Sequence, residues 1–165
     1  TCGRATRTRR VEYDRTAPVF GHTAAHTRRN ARIEGVSDRV RLVTTDATRL
    51  GLRAGSADVL TAAYVLFHLH DGGLRRSDER RLLALREWLR VLNPGGRVVV
   101  FDLTHTGWTN VLAWTPGVYI ASRWLSTRLT PACWRALVAA AGFEVESCEE
   151  RRGNVVLVGR KSTGP

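Results

Sequence analysis

Residues 92–102 read LNPGGRVVVFD, and the fold is decided here. The first half stops a helix: proline cannot continue it, and the glycines after it tolerate a left-handed exit. The second half, RVVVFD, is an unbroken run of β-branched and aromatic residues closed by an acid, as a strand buried on both faces should be. Upstream, the stopped helix begins after Ser77, whose hydroxyl is placed to cap its free N–H groups, with Asp78 and Glu79 at the positive end of the dipole. Leu82, Leu85, Leu89 and Leu92 then recur at helical spacing and give the helix one apolar face.

The same alternation extends in both directions. Residues 11–14, 40–45 and 57–62 read as strands, with helical patterns between them. Toward the end come a helix over 131–141, a strand GFEVESCEE, a turn at 151–154 and a last strand NVVLVGR, close enough to pair as an antiparallel hairpin at a sheet edge. The expectation is therefore an α/β fold: a Rossmann-like, mostly parallel sheet with helices on both faces and a C-terminal antiparallel strand. Ligands in that architecture bind at the carboxyl ends of the strands. No repeat or linker divides the chain, so residues 1–165 read as a single domain.

Composition narrows the function classes. A chain of 165 residues that is 43% hydrophobic can bury a core. No apolar run approaches the ~20 residues of a membrane span, and TCGRATRTRR lacks the apolar centre of a signal peptide, so the reading is cytoplasmic. Cys2, Cys133 and Cys148 show neither disulfide nor metal-ligand spacing. The formal charge of +11 invites a nucleic-acid partner. Against that, 26 residues are basic, Lys161 is the sole lysine, and the arginines are scattered without a nucleic-acid-binding motif. They read instead as the codon bias of a GC-rich genome. Methionine is absent even at position 1, which reads as an N-terminally truncated chain.

Three strands end in or just before an acid, Asp14, Asp46 and Asp102, where a carboxylate can accept from a bound nucleotide's hydroxyls or amine. In order along the chain, RVRLVTTDATRL, GSADVLTAAYVLFHLHD and LNPGGRVVVFD resemble the third, fourth and fifth strands of the class I S-adenosylmethionine-dependent methyltransferases. The resemblance implies S-adenosylmethionine as cofactor. It assigns Asp46 to the adenine amino group and the backbone of Ala47 to the ring. Asp14, closing VEYD, falls to the ribose hydroxyls, and Ala63 and Tyr64 line the cofactor after the fourth strand. The family's first strand and its GxGxG turn are reduced to TCGRAT, with Gly3 in the place of the final glycine. That strand is central in the family's sheet.

Catalysis by this family asks mainly for alignment of the acceptor with the methyl group and exclusion of water. His68, in FHLHD, stands where a side chain reaches the acceptor as general base or orienting group. His68 and His70 have no third metal ligand nearby, so no metal site is expected. Residues 103–130 carry Trp108, Trp114, Tyr119 and Trp124 where relatives place a lid over the substrate. Ala62, Ala63, Tyr64 and Val65 stand where enzymes acting on nucleic-acid bases or protein glutamine have an Asn/Asp-Pro-Pro-aromatic pattern, which favours a small-molecule acceptor. The alternatives are an RNA or protein acceptor, and a catalytically silent remnant serving as an interaction domain.

Overall fold

In the computed structural model, which describes residues 10–14, 24–69, 74–104 and 129–164, the chain divides into two units, Thr1–Ala47 and Thr48–Pro165. Each is built on its own sheet. The first holds β1 (Arg10–Asp14), α1 (Ala24–Ile33) and β2 (Val40–Thr44). Its two strands run parallel, from Arg10 opposite Val40 to Asp14 opposite Thr44. The helix closes at Gly35, which takes φ 66° while Val36 N–H reaches back to the Ala31 carbonyl at 2.9 Å, the left-handed exit that favours glycine.

The second unit holds β3 (Ala57–Ala63), α2 (Leu74–Val91), β4 (Leu92–Leu103), α3 (Pro131–Ala140), β5 (Phe143–Arg151) and β6 (Asn154–Lys161). Its sheet order is β3-β4-β6-β5. β3 and β4 pair parallel, while β6 pairs antiparallel with both β4 and β5. It follows that β5 runs in the direction of β3 and β4, and β6 alone is reversed within this sheet. The α/β class with a C-terminal antiparallel strand holds, and the hairpin forms as expected. Arg152 and Gly153, at φ 51° and 78°, turn it between Arg151 and Asn154, the doubly left-handed conformation that two-residue hairpin turns prefer.

Several local expectations change. α2 begins at Leu74, so Ser77 lies inside the helix rather than capping it; Leu74, Arg75 and Arg76 are good helix formers. Its buried stripe runs through Arg81, Ala84, Leu85, Trp88 and Val91. Leu82 and Leu89 are only half-buried, and Leu92 is already the first residue of β4. β4 is fully buried on one face, at Val98, Val100 and Asp102, and half-buried on the other, at Val99 and Phe101. The family's first strand has no counterpart among the described residues. β3 pairs with no described strand except β4, and Val59 on it is 59% exposed.

α3 starts on Pro131, with the Thr130 hydroxyl accepting from Cys133 N–H at 3.2 Å. It seats Trp134 and Val138 against the sheet, both without exposed surface. Gly159 of β6 leaves room for Val138: a Cβ there would stand 3.1 Å from Val138 Cγ1, 3.1 Å from Val98 Cγ1 and 3.2 Å from Phe143 Cβ. Gly159→Val is therefore expected to overpack the core and cost about 1–3 kcal/mol. Urea unfolding checks this, and a cost under ~0.5 kcal/mol would mean that α3 shifts freely on the sheet.

Candidate functional site

At the carboxyl end of β3 the backbone turns sharply. Tyr64 takes φ 55°, a conformation that an L side chain with a Cβ adopts at a cost and that concentrates at functional sites. Three contacts hold it there. Its N–H donates to the Phe101 carbonyl at 2.8 Å. The ring meets Phe101 edge-on at 5.1 Å. Its hydroxyl donates to Asn154 Oδ1 at 3.1 Å, across to the start of β6. Even so, the side chain is 40% exposed, so part of the ring faces outward.

A short helical turn over Leu66–His68 follows, closed by Leu69 N–H on the Leu66 carbonyl at 3.1 Å. Leu66 and Phe67 are buried and anchor it. His68 stays half-buried, its ring edge-on to Phe67 at 5.2 Å.

Beneath this turn lies Asp102, with no exposed surface. Its Oδ2 accepts from Phe67 N–H at 3.1 Å and its Oδ1 from Leu103 N–H at 2.8 Å. Burial pushes its pKa up to about 6, against the pull of those two N–H groups and of the Arg81 guanidinium. Arg81, 1% exposed, donates from Nε to the Leu66 carbonyl at 3.0 Å and from Nη1 to Asp78 at 2.9 Å. Its guanidinium stands 6.0 Å from the Trp134 ring.

The next two residues, Leu103 closing β4 and Thr104 just beyond it, bind other segments. The Leu103 carbonyl accepts from Trp134 Nε1–H at 3.1 Å. Thr104 N–H donates to the Gly153 carbonyl at 3.1 Å, and its hydroxyl to the Leu129 carbonyl at 2.8 Å. The two ends of the aromatic-rich stretch 103–130 are thus joined at Thr104 and Leu129; residues 105–128 lie outside the described ones.

Ala63, Tyr64 and His68 therefore share one strand end and its turn, with Ala63 exposed. In the other unit Asp14 closes β1 opposite Thr44, and Asp46 follows β2, exposed, with Ala47 half-buried behind it. Gly3 and His70 lie outside the described residues. Asp102, first grouped with Asp14 and Asp46 as a ligand-facing acid, is instead buried with both oxygens engaged by backbone N–H groups. Arg81 and Asn154 were missed. Arg81 keeps helical spacing with Ala84, Leu85 and Trp88, and its charge disguised its place on the buried stripe.

The folded chain holds the Asp102 proton more tightly than an unfolded one does. This group therefore favours folding most below pH 3.8, and that contribution is lost as pH rises through about 6. Between pH 5 and 7 the parent chain should lose about 1 kcal/mol more stability than Asp102→Asn. Urea unfolding at both pH values measures the difference, and parallel pH dependences would place the Asp102 pKa near its ordinary value.

Residues 2–100 match the methyltransferase domain family. A stretch of 70 residues is 39% identical to the ubiquinone/menaquinone biosynthesis C-methyltransferase UbiE of Azotobacter vinelandii (strain DJ / ATCC BAA-1303), covering 42% of this chain and 24% of that protein. The chain thus spans about a quarter of the length of this relative. Among solved structures, it resembles an O-methyltransferase family 2 protein from Planctomyces limnophilus DSM 3776 in complex with apigenin, with TM-score 0.67, 17% identity, and coverage of 93% of this chain and 42% of that one. It also resembles the [4+2]-cyclase SpnF, with TM-score 0.62, 21% identity, and coverage of 85% and 62%. At such identities the structures share the fold alone. The family match spans more than half of the chain, and with the ordered strand-end motifs it establishes that the chain belongs to the class I S-adenosylmethionine-dependent methyltransferases.

Proposed function

We propose that the chain transfers a methyl group from S-adenosylmethionine to a small-molecule acceptor by direct displacement, in the cytoplasm, and that its two units belong to one domain. The single-domain reading draws on the family match, which runs through the boundary at residues 47 and 48. The exposed Cys133 thiol suits a reducing compartment.

The observation that carries the cofactor reading is the parallel register of β1 and β2. It pairs Asp14 with Thr44, so Asp14 and Asp46 fall at the same end of that sheet. Two carboxylates there fit a ligand whose donors are a ribose diol and an adenine amine. Asp14 accepts from the ribose hydroxyls, Asp46 from the amine, and Ala47 offers its backbone to the ring; Gly3 leaves room for the methionine part. When bound, the cofactor supplies an electrophilic methyl on a sulfonium.

The rest of the work belongs to the acceptor side. Ala63 and Tyr64, at the end of β3, line the cofactor where it faces the acceptor, and the exposed part of the Tyr64 ring excludes water. His68 orients the acceptor and takes up its proton as general base. The stretch 103–130, of which residues 105–128 lie outside the described ones, is assigned to the acceptor in the same proposal.

An RNA acceptor is the second reading, and it draws on a separate observation in the first unit. Arg28, Arg32 and Arg41, with Ser37, line a cleft of about 560 Å³ on α1 and β2. RNA held through these guanidiniums loses affinity steeply with salt, by roughly 0.7 log units per phosphate contact for each tenfold rise.

Calorimetric titration with S-adenosylhomocysteine tests the main reading. Micromolar binding is expected, weakened about tenfold by Asp46→Ala, which is about 1.4 kcal/mol. Absence of binding by a folded chain would sink the enzyme reading and leave the remnant acting as an interaction domain. Salt-dependent capture of single-stranded RNA, abolished by Arg28→Ala together with Arg41→Ala, would favour the second reading.

A further inference from the structure

We propose that Asp102 is a positioning residue for the acceptor side of the site: its buried carboxylate, seconded by Arg81, holds the turn carrying Tyr64 and His68 at the carboxyl end of β3. Assigning that turn to the acceptor rests on the methyl-transfer reading; the clamp itself does not.

The turn is held at three successive points by groups from elsewhere in the fold. Tyr64 N–H is fixed by the Phe101 carbonyl, the Leu66 carbonyl by Arg81 Nε, and Phe67 N–H by Asp102 Oδ2, at 2.8, 3.0 and 3.1 Å. Leu66 and Phe67 are buried beneath the turn, while Tyr64 and His68 on either side retain exposed surface. The arrangement fixes the backbone between two side chains that retain exposed surface, as a preorganised site requires.

A carboxylate is a costly residue for this position. Val98 and Val100, on the same buried face of β4, show that an aliphatic side chain suits the face, and burying a charge there costs stability unless it is answered. What the carboxylate provides is acceptance from two N–H groups at once, one from its own strand and one from the turn. An asparagine offers one oxygen and one amine, so it can answer only one of those donors.

The groups around the carboxylate are Arg81 from α2, the N–H groups of Leu66 and Phe67 from the turn, and Val155, its partner across the β4–β6 pair. Tyr64 and His68 are the titratable side chains on the turn itself. Protonating Asp102 near pH 6 weakens its acceptance from Phe67 N–H, so the Phe67 amide should register that step.

Backbone amide NMR on the whole chain tests this without an acceptor. In the parent chain, the Phe67 and Leu103 amide protons are expected to titrate together with an inflection near pH 6, absent in Asp102→Asn. Hydrogen exchange in that variant should speed at least tenfold at Phe67 and remain unchanged at Val98 and Val100 in the β4–β6 ladder. Should Asp102→Asn fail to fold, the parent titration and Arg81→Lys, expected to speed exchange over 66–68 alone, still decide the matter. A Phe67 amide that does not titrate between pH 5 and 7, or that exchanges equally in parent and variant, overturns the proposal. S-adenosylhomocysteine titration of the same samples separates the two ideas: a titrating Phe67 in a chain that binds no S-adenosylhomocysteine upholds the clamp while the methyl-transfer reading fails.

Discussion

A carboxylate taken wholly out of water must be answered on both oxygens, and at Asp102 the answers come from different segments. One is the next residue of β4; the other is Phe67, on the turn after β3. The residues on either side of Asp102 in the chain continue the pattern. Phe101 accepts from Tyr64, Leu103 from Trp134 of α3, and Thr104 donates to Gly153 in the hairpin turn and to Leu129. Four consecutive residues thus hold the turn after β3, a helix, a hairpin and the start of α3's approach. The free energy of each bond is modest, about 1 kcal/mol, but all share one strand end, so they stand or fall as a group.

The four strands of the second unit form one sheet although the family's first strand has no counterpart among the described residues. β4 is interior, with β3 on one side and β6 on the other, and reversed β6 lets β5 join in the direction of β3 and β4. Among the described residues β3 is an edge strand, and its Val59 is 59% exposed. An exposed edge with an apolar side chain is a feature that natural sheets otherwise blunt.

Much of this was legible because it follows from backbone chemistry. Pro94 and two glycines stop a helix whatever surrounds them, Pro131 starts one, and the spacing of the last two strands leaves room for little besides a hairpin. The parallel pairs followed from the alternation of elements. Identities of buried polar residues were less accessible. Arg81 looked like solvent-facing charge because a local pattern carries no information about the Leu66 carbonyl or the Trp134 ring that receive it. Asp102 looked like its counterparts Asp14 and Asp46, since an acid at the end of a strand reads the same whether it faces a ligand or a neighbouring turn. Ser77 reads as a cap because a serine followed by two acids carries a helix-start signal, which the helix-forming Leu74, Arg75 and Arg76 before it override. Tyr64 was noticed for its position, but its left-handed backbone has no sequence signature, as glycine or asparagine is the usual occupant there.

Chemistry on this fold is settled at its strand ends rather than in its sheet. The chain resembles both an O-methyltransferase and a [4+2]-cyclase at nearly the same TM-score, so the sheet by itself does not choose between reactions. What distinguishes one use from another has to be the segments that leave the carboxyl ends of the strands, and among the described residues the segment after β3 is held at three points by the rest of the fold. It spends strain at Tyr64 and a buried charge at Asp102 to hold an exposed aromatic ring and a half-buried histidine. A tyrosine at position 64 costs backbone strain that glycine would avoid, and the carboxylate at position 102 answers a buried N–H of the same turn. Both fix the surface that Tyr64 and His68 present, which is the reason for looking for the acceptor at this turn.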